Sequence, residues 1–162
     1  MDLPSHVPEE AIARFEEAYR AQMNGRLDEA AELYEQSLSI CPTAEAHTFL
    51  GWVYSMQRRY DDAIACCHHA IEVDPDFGNP YNDIGAYLIE LGRLEEAIDW
   101  LERAKHAVRY EPRQFPHINL GRIHVMRHDI AAAARELRAA VGIEPGHAPT
   151  RREFHRLLGL LN

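Results

Sequence analysis

The chain has 162 residues and a formal net charge of −9, and its 46% apolar and 27% charged content is that of an ordinary globular protein able to bury a core. No apolar run approaches the roughly 18 residues of a membrane span, and the first residues lack a basic start and an apolar signal core. Residues 1–112 carry 22 acids and 9 bases, whereas residues 113–162 carry 4 acids and 8 arginines, unlike a nucleic-acid-binding domain. We therefore expect neither membrane nor nucleic acid as a partner.

The chain contains three cysteines, Cys41, Cys66 and Cys67. An odd count with two adjacent members makes a poor disulfide framework and suits a reducing compartment. The cysteines therefore predict free thiols in a cytoplasmic protein.

Internal repeats run along most of the sequence. Apolar–Gly pairs in FLGWVY, DIGAYL and NLGRIH place Gly51, Gly85 and Gly121 at intervals of 34 and 36 residues. Each pair is followed by a second repeated segment, such as RLEEAIDWLERAKHAV, and a fourth copy of that segment lies upstream at residues 26–42. Apolar residues within the copies step by three, four and seven, which is helical periodicity. Each unit is therefore predicted to be a pair of helices in close contact at the small residues.

Turn and cap residues divide each unit into a first and a second helix. Gly25 and Gly92 stand where a first helix should end, and a proline such as Pro75 follows a second helix. Acidic pairs such as Asp61-Asp62 fall in the first turn of the second helices, where they stabilise the positive end of the helix dipole. Because the pairs recur with the repeat, we interpret them as helix starts and not as catalytic carboxylates.

This pattern resembles the tetratricopeptide repeat family, whose period is about 34 residues. The resemblance implies an all-α fold, an α-solenoid forming a right-handed superhelix of about four helix-turn-helix units with a C-terminal capping helix. We assign residues 1–10 to an N-terminal segment and residues 148–162 to the capping helix. The four units are predicted at residues 11–43, 44–77, 78–113 and 114–147.

Two segments depart from the plain repeat. The third unit has Arg109 in place of the closing proline and carries two extra residues, so we expect its second helix to continue through KHAVRY and the turn to shift to EPRQFP. In the capping helix, one face is predicted to cover the fourth unit, with Leu160 off that face. The predicted face consists of Phe154, Leu157, Leu158 and Leu161.

A tetrad of cysteines and histidines, Cys66-Cys67-His68-His69, has the ligand types that zinc prefers. Successive helical residues point about 100° apart, so these four cannot converge on one ion. Cys67 is predicted to be a core residue, whereas His68 and His69 are predicted to point outward. The spacing of His117, His124 and His128 suits one helix face better, but no carboxylate or cysteine falls in step with them. We therefore predict no metal and no cofactor.

The family resemblance implies a non-catalytic protein–protein interaction module, a scaffold or adaptor that binds a peptide or partner helix in the concave groove formed by the first helices. No phosphate loop or acid–base constellation argues for an enzyme. Two alternatives stay open. One is a structural spacer that self-associates through its acidic body and basic end, which salt-sensitive light scattering would reveal. The other is an enzyme that uses the three histidines or an exposed Cys66.

The predicted groove combines an apolar stripe with polar residues. Met23, Met56 and Met126 occupy one position of their units, one turn from the position of Tyr19 and Trp52, although the methionines could instead fill space between units. We predict that units 1 and 2 anchor apolar side chains while units 3 and 4 bind main chain. The only lysine lies on a second helix, so no strong binding to the acidic tail of a chaperone is expected. The predicted groove residues are Tyr19, Met23, Thr48, Phe49, Trp52, Met56, Asn82, Asp83, Asn119, Arg122 and Met126.

Overall fold

The computed structural model of the chain describes residues 5–161, and nine helices follow one another over that range. Residues 1–4 of the predicted N-terminal segment and residue 162 of the predicted capping helix lie outside the described residues. Between residues 5 and 161 no helix is long and apolar enough to cross a membrane. The helices are α1 Glu9–Met23, α2 Leu27–Ile40, α3 Ala44–Met56, α4 Tyr60–Val73, α5 Asn79–Glu90, α6 Leu94–Lys105, α7 Gln114–Met126, α8 Ile130–Ile143 and α9 Ala148–Leu160.

The helices pack in consecutive pairs. Helix α1 packs on α2, α3 on α4, α5 on α6 and α7 on α8, and each pair packs on the next, with α9 against α8. The first helices also contact one another along the series, α1 with α3, α3 with α5 and α5 with α7. This arrangement confirms the predicted all-α solenoid, although its division into units at residues 11, 44, 78 and 114 stays a prediction.

Small residues lie where the two helices of a pair approach most closely. A Cβ atom added to Gly85 would lie 2.5 Å from Cγ of Leu101, and one added to Gly121 would lie 2.9 Å from Cδ2 of Leu137. At Gly51 the nearest atom would be the carbonyl oxygen of Ala63, at 3.0 Å. The second helices therefore pack directly against the backbone of the first, as the recurring glycines predict.

The turns between paired helices share one left-handed residue. Gly25 and Gly92 have φ of +74°, the conformation expected of glycine after a helix. Arg58 and His128 occupy the same place in their units with φ of +63° and +61°. The repeat geometry thus imposes this backbone even on residues that disfavour it. Because His128 lies beyond the end of α7, the idea that it shares a helix face with His117 and His124 is wrong.

The connection between α6 and α7 differs from the prediction. Helix α6 ends at Lys105 instead of continuing through KHAVRY. The N–H of Arg109 donates to the carbonyl of Asp76, and the N–H of Gly78 donates to the carbonyl of Arg109, each at 2.9 Å. The Arg109 guanidinium also bonds Asp74 and the buried carboxylate of Glu45. These bonds replace the helical ones, so the extra residues form a strap across the α4–α5 turn and not a longer helix.

Helix α9 covers the end of the solenoid. Leu157 is fully buried and Phe154 is partly buried against Ala133, Ala134 and Leu137 of α8. Leu161 lies beyond the last helical turn and is half exposed, so its predicted place on the covering face is wrong. The contact with α8 therefore depends on few large side chains.

Candidate functional site

A cavity of about 430 Å³ lies between α3, α5 and the α6–α7 connection. Five of the predicted groove residues line it, and they come from two adjacent first helices. The cavity therefore opens on the first-helix layer, the layer in which the groove is predicted. Its lining consists of Thr48, Phe49, Trp52, Ser55, Asn79, Asn82, Asp83, Ala86, Tyr87, Tyr110, Pro112 and Phe115.

Phe49 is the centre of an aromatic cluster on one side of this cavity. Its ring packs at 5.3 to 6.1 Å, centroid to centroid, against Phe15, Tyr19, Tyr34 and Trp52. Trp52 and Tyr19 remain 44% and 42% exposed, whereas Phe15 and Tyr34 are buried. The cluster is thus anchored in the core and presents two large rings to solvent.

The three predicted methionines end their first helices, and each remains 46–51% exposed. The buried Gln22 side chain lies between Met56 and Tyr34: its Nε2 is 3.8 Å from Met56 Sδ, and its Oε1 accepts from the Tyr34 hydroxyl at 2.9 Å. None of these three methionines is among the described residues that line the cavity. We call Tyr19, Met23, Phe49, Trp52 and Met56 the apolar half of the first-helix surface.

Polar side chains that are hydrogen-bonded in series lie on the opposite side of the cavity from the aromatic cluster. The Asn119 amide donates to Oδ1 of the buried Asn82 at 3.0 Å, and the Asn82 amide donates to Oδ1 of Asp83 at 3.2 Å. Burial raises the pKa of Asp83 to about 7, and the hydrogen bond from Asn82 offsets this only in part. We call Asn82, Asp83, Asn119 and Arg122 the polar half.

Arg122 is separated from the other members of the polar half. Its guanidinium donates to Oε1 of Glu90 at 2.7 Å, which links α7 to α5. It also lines a second, mostly apolar cavity of about 300 Å³ against α9, together with Val125 and Pro149. The structure therefore brings Thr48, Phe49, Trp52, Asn82 and Asp83 together, with Asn119 bonded to Asn82, but leaves Arg122 and Met126 further along the surface.

Sequence reasoning missed the part of the lining that comes from the α6–α7 connection. Tyr110 and Pro112 of the connection, and Phe115 in the first turn of α7, form that side of the cavity, and the Tyr110 ring is buried directly over Gly78. The available signals were the loss of the closing proline at Arg109 and the two inserted residues. These signals indicate an irregular segment, but they do not predict the direction in which its side chains point.

The remaining candidate residues are the cysteines of α4 and the histidines of the fourth unit. Cys67 is fully buried as predicted, but Cys66 is buried too, so the expectation of an exposed Cys66 is wrong. Burial raises the pKa of the Cys66 thiol to about 12, which opposes formation of the reactive thiolate. His117 Nδ1 lies 2.6 Å from a carboxylate oxygen of Glu136. Over residues 5–161, no three His, Cys, Asp or Glu side chains are grouped to hold a metal ion.

Comparison with known proteins agrees with this architecture. Three sequence models of the tetratricopeptide repeat match residues 9–45, 44–77 and 81–106, and the chain belongs to this family, which is typically non-catalytic. No curated protein matches the chain.

Solved structures of low sequence identity share the fold. PilF of Pseudomonas aeruginosa is 23% identical, with a TM-score of 0.84 over 93% of this chain and 68% of its own. YrrB, described as a protein with an unusual peptide-binding site, is 21% identical, with a TM-score of 0.67 over 94% of this chain and 78% of its own. The second repeat domain of Spaghetti (RPAP3), bound to the HSP90 peptide SRMEEVD, is 21% identical, with a TM-score of 0.58 over 61% of this chain and 93% of its own.

Proposed function

We propose that this chain is a non-catalytic interaction module, a scaffold or adaptor in the cytoplasm, that binds an extended peptide or a partner helix along its first helices. The observation that carries the proposal is the exposed apolar half beside the cavity. Tyr19, Met23, Trp52 and Met56 each expose more than two fifths of their surface, although the chain has a core able to bury such residues. Contiguous exposed apolar surface of this kind marks interaction sites.

The chemistry of the apolar half suits binding. Tryptophan and tyrosine bring large contact areas at a low entropic cost, and methionine adapts its shape to a partner. Trp52 is held from beneath by Phe49, at 5.7 Å between ring centroids, so little ordering is needed when a ligand arrives. In this proposal Trp52 and Tyr19 anchor apolar side chains, and the partly exposed Asn119, which is oriented by Asn82, hydrogen-bonds the ligand's main chain.

Two further observations support an interaction module. Two residues of the enzyme hypothesis are occupied in the core or in local contacts, because Cys66 is buried and His117 is paired with Glu136. YrrB and RPAP3, which share the fold, are described as binding peptides. The acidic peptide held by RPAP3 is a poor match here, because the cavity beside Trp52 contains a carboxylate and its lining, among residues 5–161, includes no lysine or arginine.

The test is the substitution Trp52→Ala, with Trp100→Ala as the control. Peptides selected from a random dodecamer library on the 162-residue chain are titrated by isothermal calorimetry. Loss of a hot-spot tryptophan should weaken binding by about 2 kcal/mol, or roughly 30-fold. Trp100 lies on the second helix α6 under Arg103 and is not among the residues that line the cavity, so in a variant that remains folded its loss should leave affinity unchanged. Equal affinities for wild type and a folded Trp52→Ala variant would contradict the proposal.

A further inference from the structure

We propose that the cavity beside Trp52 receives a lysine or arginine side chain of the bound segment, with the Asp83 carboxylate as its partner. This inference rests on the function proposed above, since it names the chemistry of one ligand residue in the same groove. It concerns a single pocket. Its test distinguishes a result that contradicts cation binding in this pocket from a result that contradicts ligand binding along the first helices.

Asp83 differs from the other acids that are withdrawn from solvent. Glu45, 1% exposed, bonds Arg109, and Glu136 is paired with Lys105 and His117. Over residues 5–161, Asp83 has no cationic partner, and its one hydrogen bond comes from the Asn82 amide. Desolvating a carboxylate without a counter-charge is costly, so such a group in an open cavity is a candidate binding group.

The surroundings of Asp83 fit a long cationic side chain. In the part of the chain that the structure describes, it is the one charged residue that lines the cavity, and the walls include the rings of Phe49, Trp52 and Phe115. Aromatic faces attract lysine and arginine cations, and apolar walls accommodate their methylene stems. A carboxylate and aromatic rings in the lining of one cavity therefore complement the charged head and the apolar stem of such a residue.

Proton binding to Asp83 gives the inference a distinctive pH dependence. The titratable groups that lie near enough to Asp83 to be affected by its charge are Tyr87 on α5, Cys67 on α4 and Tyr110 on the α6–α7 connection. Burial raises the pKa of all three, so they remain neutral near pH 7, where Asp83 itself titrates. A ligand cation favours the ionised carboxylate, so affinity should be about 10-fold weaker at pH 6 than at pH 8.

The experiment compares library selection on wild type and on Asp83→Asn. Asparagine keeps the shape of the protonated acid and cannot ionise, and Asp99→Asn, at an exposed position on α6, is the matched control. Wild-type binders should carry lysine or arginine at one fixed position, and Asp83→Asn binders should not. The best wild-type peptide should bind Asp83→Asn at least 10-fold more weakly at pH 8, with no change of affinity between pH 6 and pH 8, and should bind Asp99→Asn as it binds wild type.

The outcomes separate the pocket from the groove. Peptides that need Trp52 but show no preference for a basic residue, or that bind Asp83→Asn as tightly as wild type, would overturn the cation pocket and leave the groove function standing. Binding that tightens as the pH falls would also overturn it, because Asp83 would then act as a neutral hydrogen-bond donor. Replacing the peptide's basic residue by norleucine tests the same point on the wild-type protein alone. The absence of any Trp52-dependent binder would overturn both proposals.

Discussion

The apolar and polar halves of the first-helix surface are organised by different forces. Around Phe49 the side chains are held by ring packing, and large apolar groups are left at the surface. Around Asn82 they are held by directional hydrogen bonds between α5 and α7. Apolar burial gives affinity with little demand on geometry, whereas hydrogen bonds and charges discriminate between partners. We infer that the apolar half supplies most of the binding energy, and that the polar half determines the position at which a ligand binds and which ligands are accepted.

The repeat explains how the halves can diverge on one scaffold. The position that holds Tyr34, Cys67, Leu101 and Leu137 is buried in all four units, so it must stay apolar. The surface position of Tyr19 and Trp52 becomes Ala86 and Arg122 in the later units, because it does not contribute to the inter-helix core. Core positions thus preserve the fold while the first-helix surface is free to vary.

The largest expected effect is the loss of stability in Phe49→Ala. It should distinguish a residue that holds the apolar half in place from one that contacts the ligand. Removing the ring that packs against Phe15, Tyr19, Tyr34 and Trp52 should lower the free energy of unfolding by about 3 kcal/mol. Trp52→Ala should lower it by about 1 kcal/mol, because Trp52 is 44% exposed. Urea unfolding followed by far-ultraviolet circular dichroism gives both values without relying on tryptophan fluorescence. Equal losses would mean that Trp52 is a core residue and not a contact residue.

Replacing glycine by alanine compares the close contacts between paired helices at Gly51, on α3, and at Gly85, on α5. At Gly85 the added Cβ would meet the fully buried Leu101 at 2.5 Å, and this overpacking should exceed the gain in helix propensity by about 1 kcal/mol. At Gly51 the nearest atom is 3.0 Å away, so the two effects should nearly cancel. Gly142 on α8 has open space around it and serves as the control, where alanine should stabilise by about 0.5 kcal/mol.

Thermal melts of the three glycine variants test this order. The melting temperature should be lowest for Gly85→Ala, intermediate for Gly51→Ala and highest for Gly142→Ala. If Gly85→Ala melted above wild type, the close approach of α5 and α6 would not be what requires glycine there.

The sequence predicted the parts of the molecule that the repeat itself determines. The glycines at the close contacts, the left-handed glycines of two turns and the acidic helix starts all recur at fixed positions, so each copy supports the reading of the others. Segments without a counterpart in other units could not be predicted in this way. The α6–α7 connection is such a segment, because its path depends on Arg109 reaching Asp74 and Glu45, which lie 35 and 64 residues away along the chain.

In the candidate site, too, only the residues that follow the repeat could be predicted from the sequence. The first-helix residues of the cavity follow from the repeat register, which placed Trp52 and Asp83 on one surface. Tyr110 and Pro112, which complete the lining, lie in the connection that has no counterpart in the other units, and Phe115 lies in the first turn of α7. The burial of Cys66 was also missed, because it faces Gly51, where the missing side chain lets the two helices come together.

The smallest expected effect is on the pH dependence of stability, to which His47 on α3 and Asp83 on α5 should contribute with opposite signs. Burial beside His69 lowers the pKa of His47 to about 4, since it disfavours the charged ring, whereas burial raises the pKa of Asp83 to about 7. The unfolded chain protonates its histidine near pH 6.5, so the His47 contribution to stability is lost as the pH falls from about 6.5 to about 4. The Asp83 contribution has the opposite sign and is lost as the pH rises from about 4 to about 7.

Because both side chains are partly open to water, each contribution should amount to about 1 kcal/mol across this window, and the two should largely cancel in the wild-type protein. Single substitutions should uncover them. Relative to wild type, the free energy of unfolding of Asp83→Asn should rise from pH 4 to pH 7, because the substitution removes the Asp83 contribution, which falls over that range. Relative to wild type, that of His47→Gln should fall from pH 4 to pH 6.5, because the substitution removes the His47 contribution, which rises over that range. Urea midpoints at four pH values, each taken relative to wild type, cancel the contributions of all other groups. One shared pH profile for the three proteins would show that neither buried group titrates differently in the folded and unfolded chain.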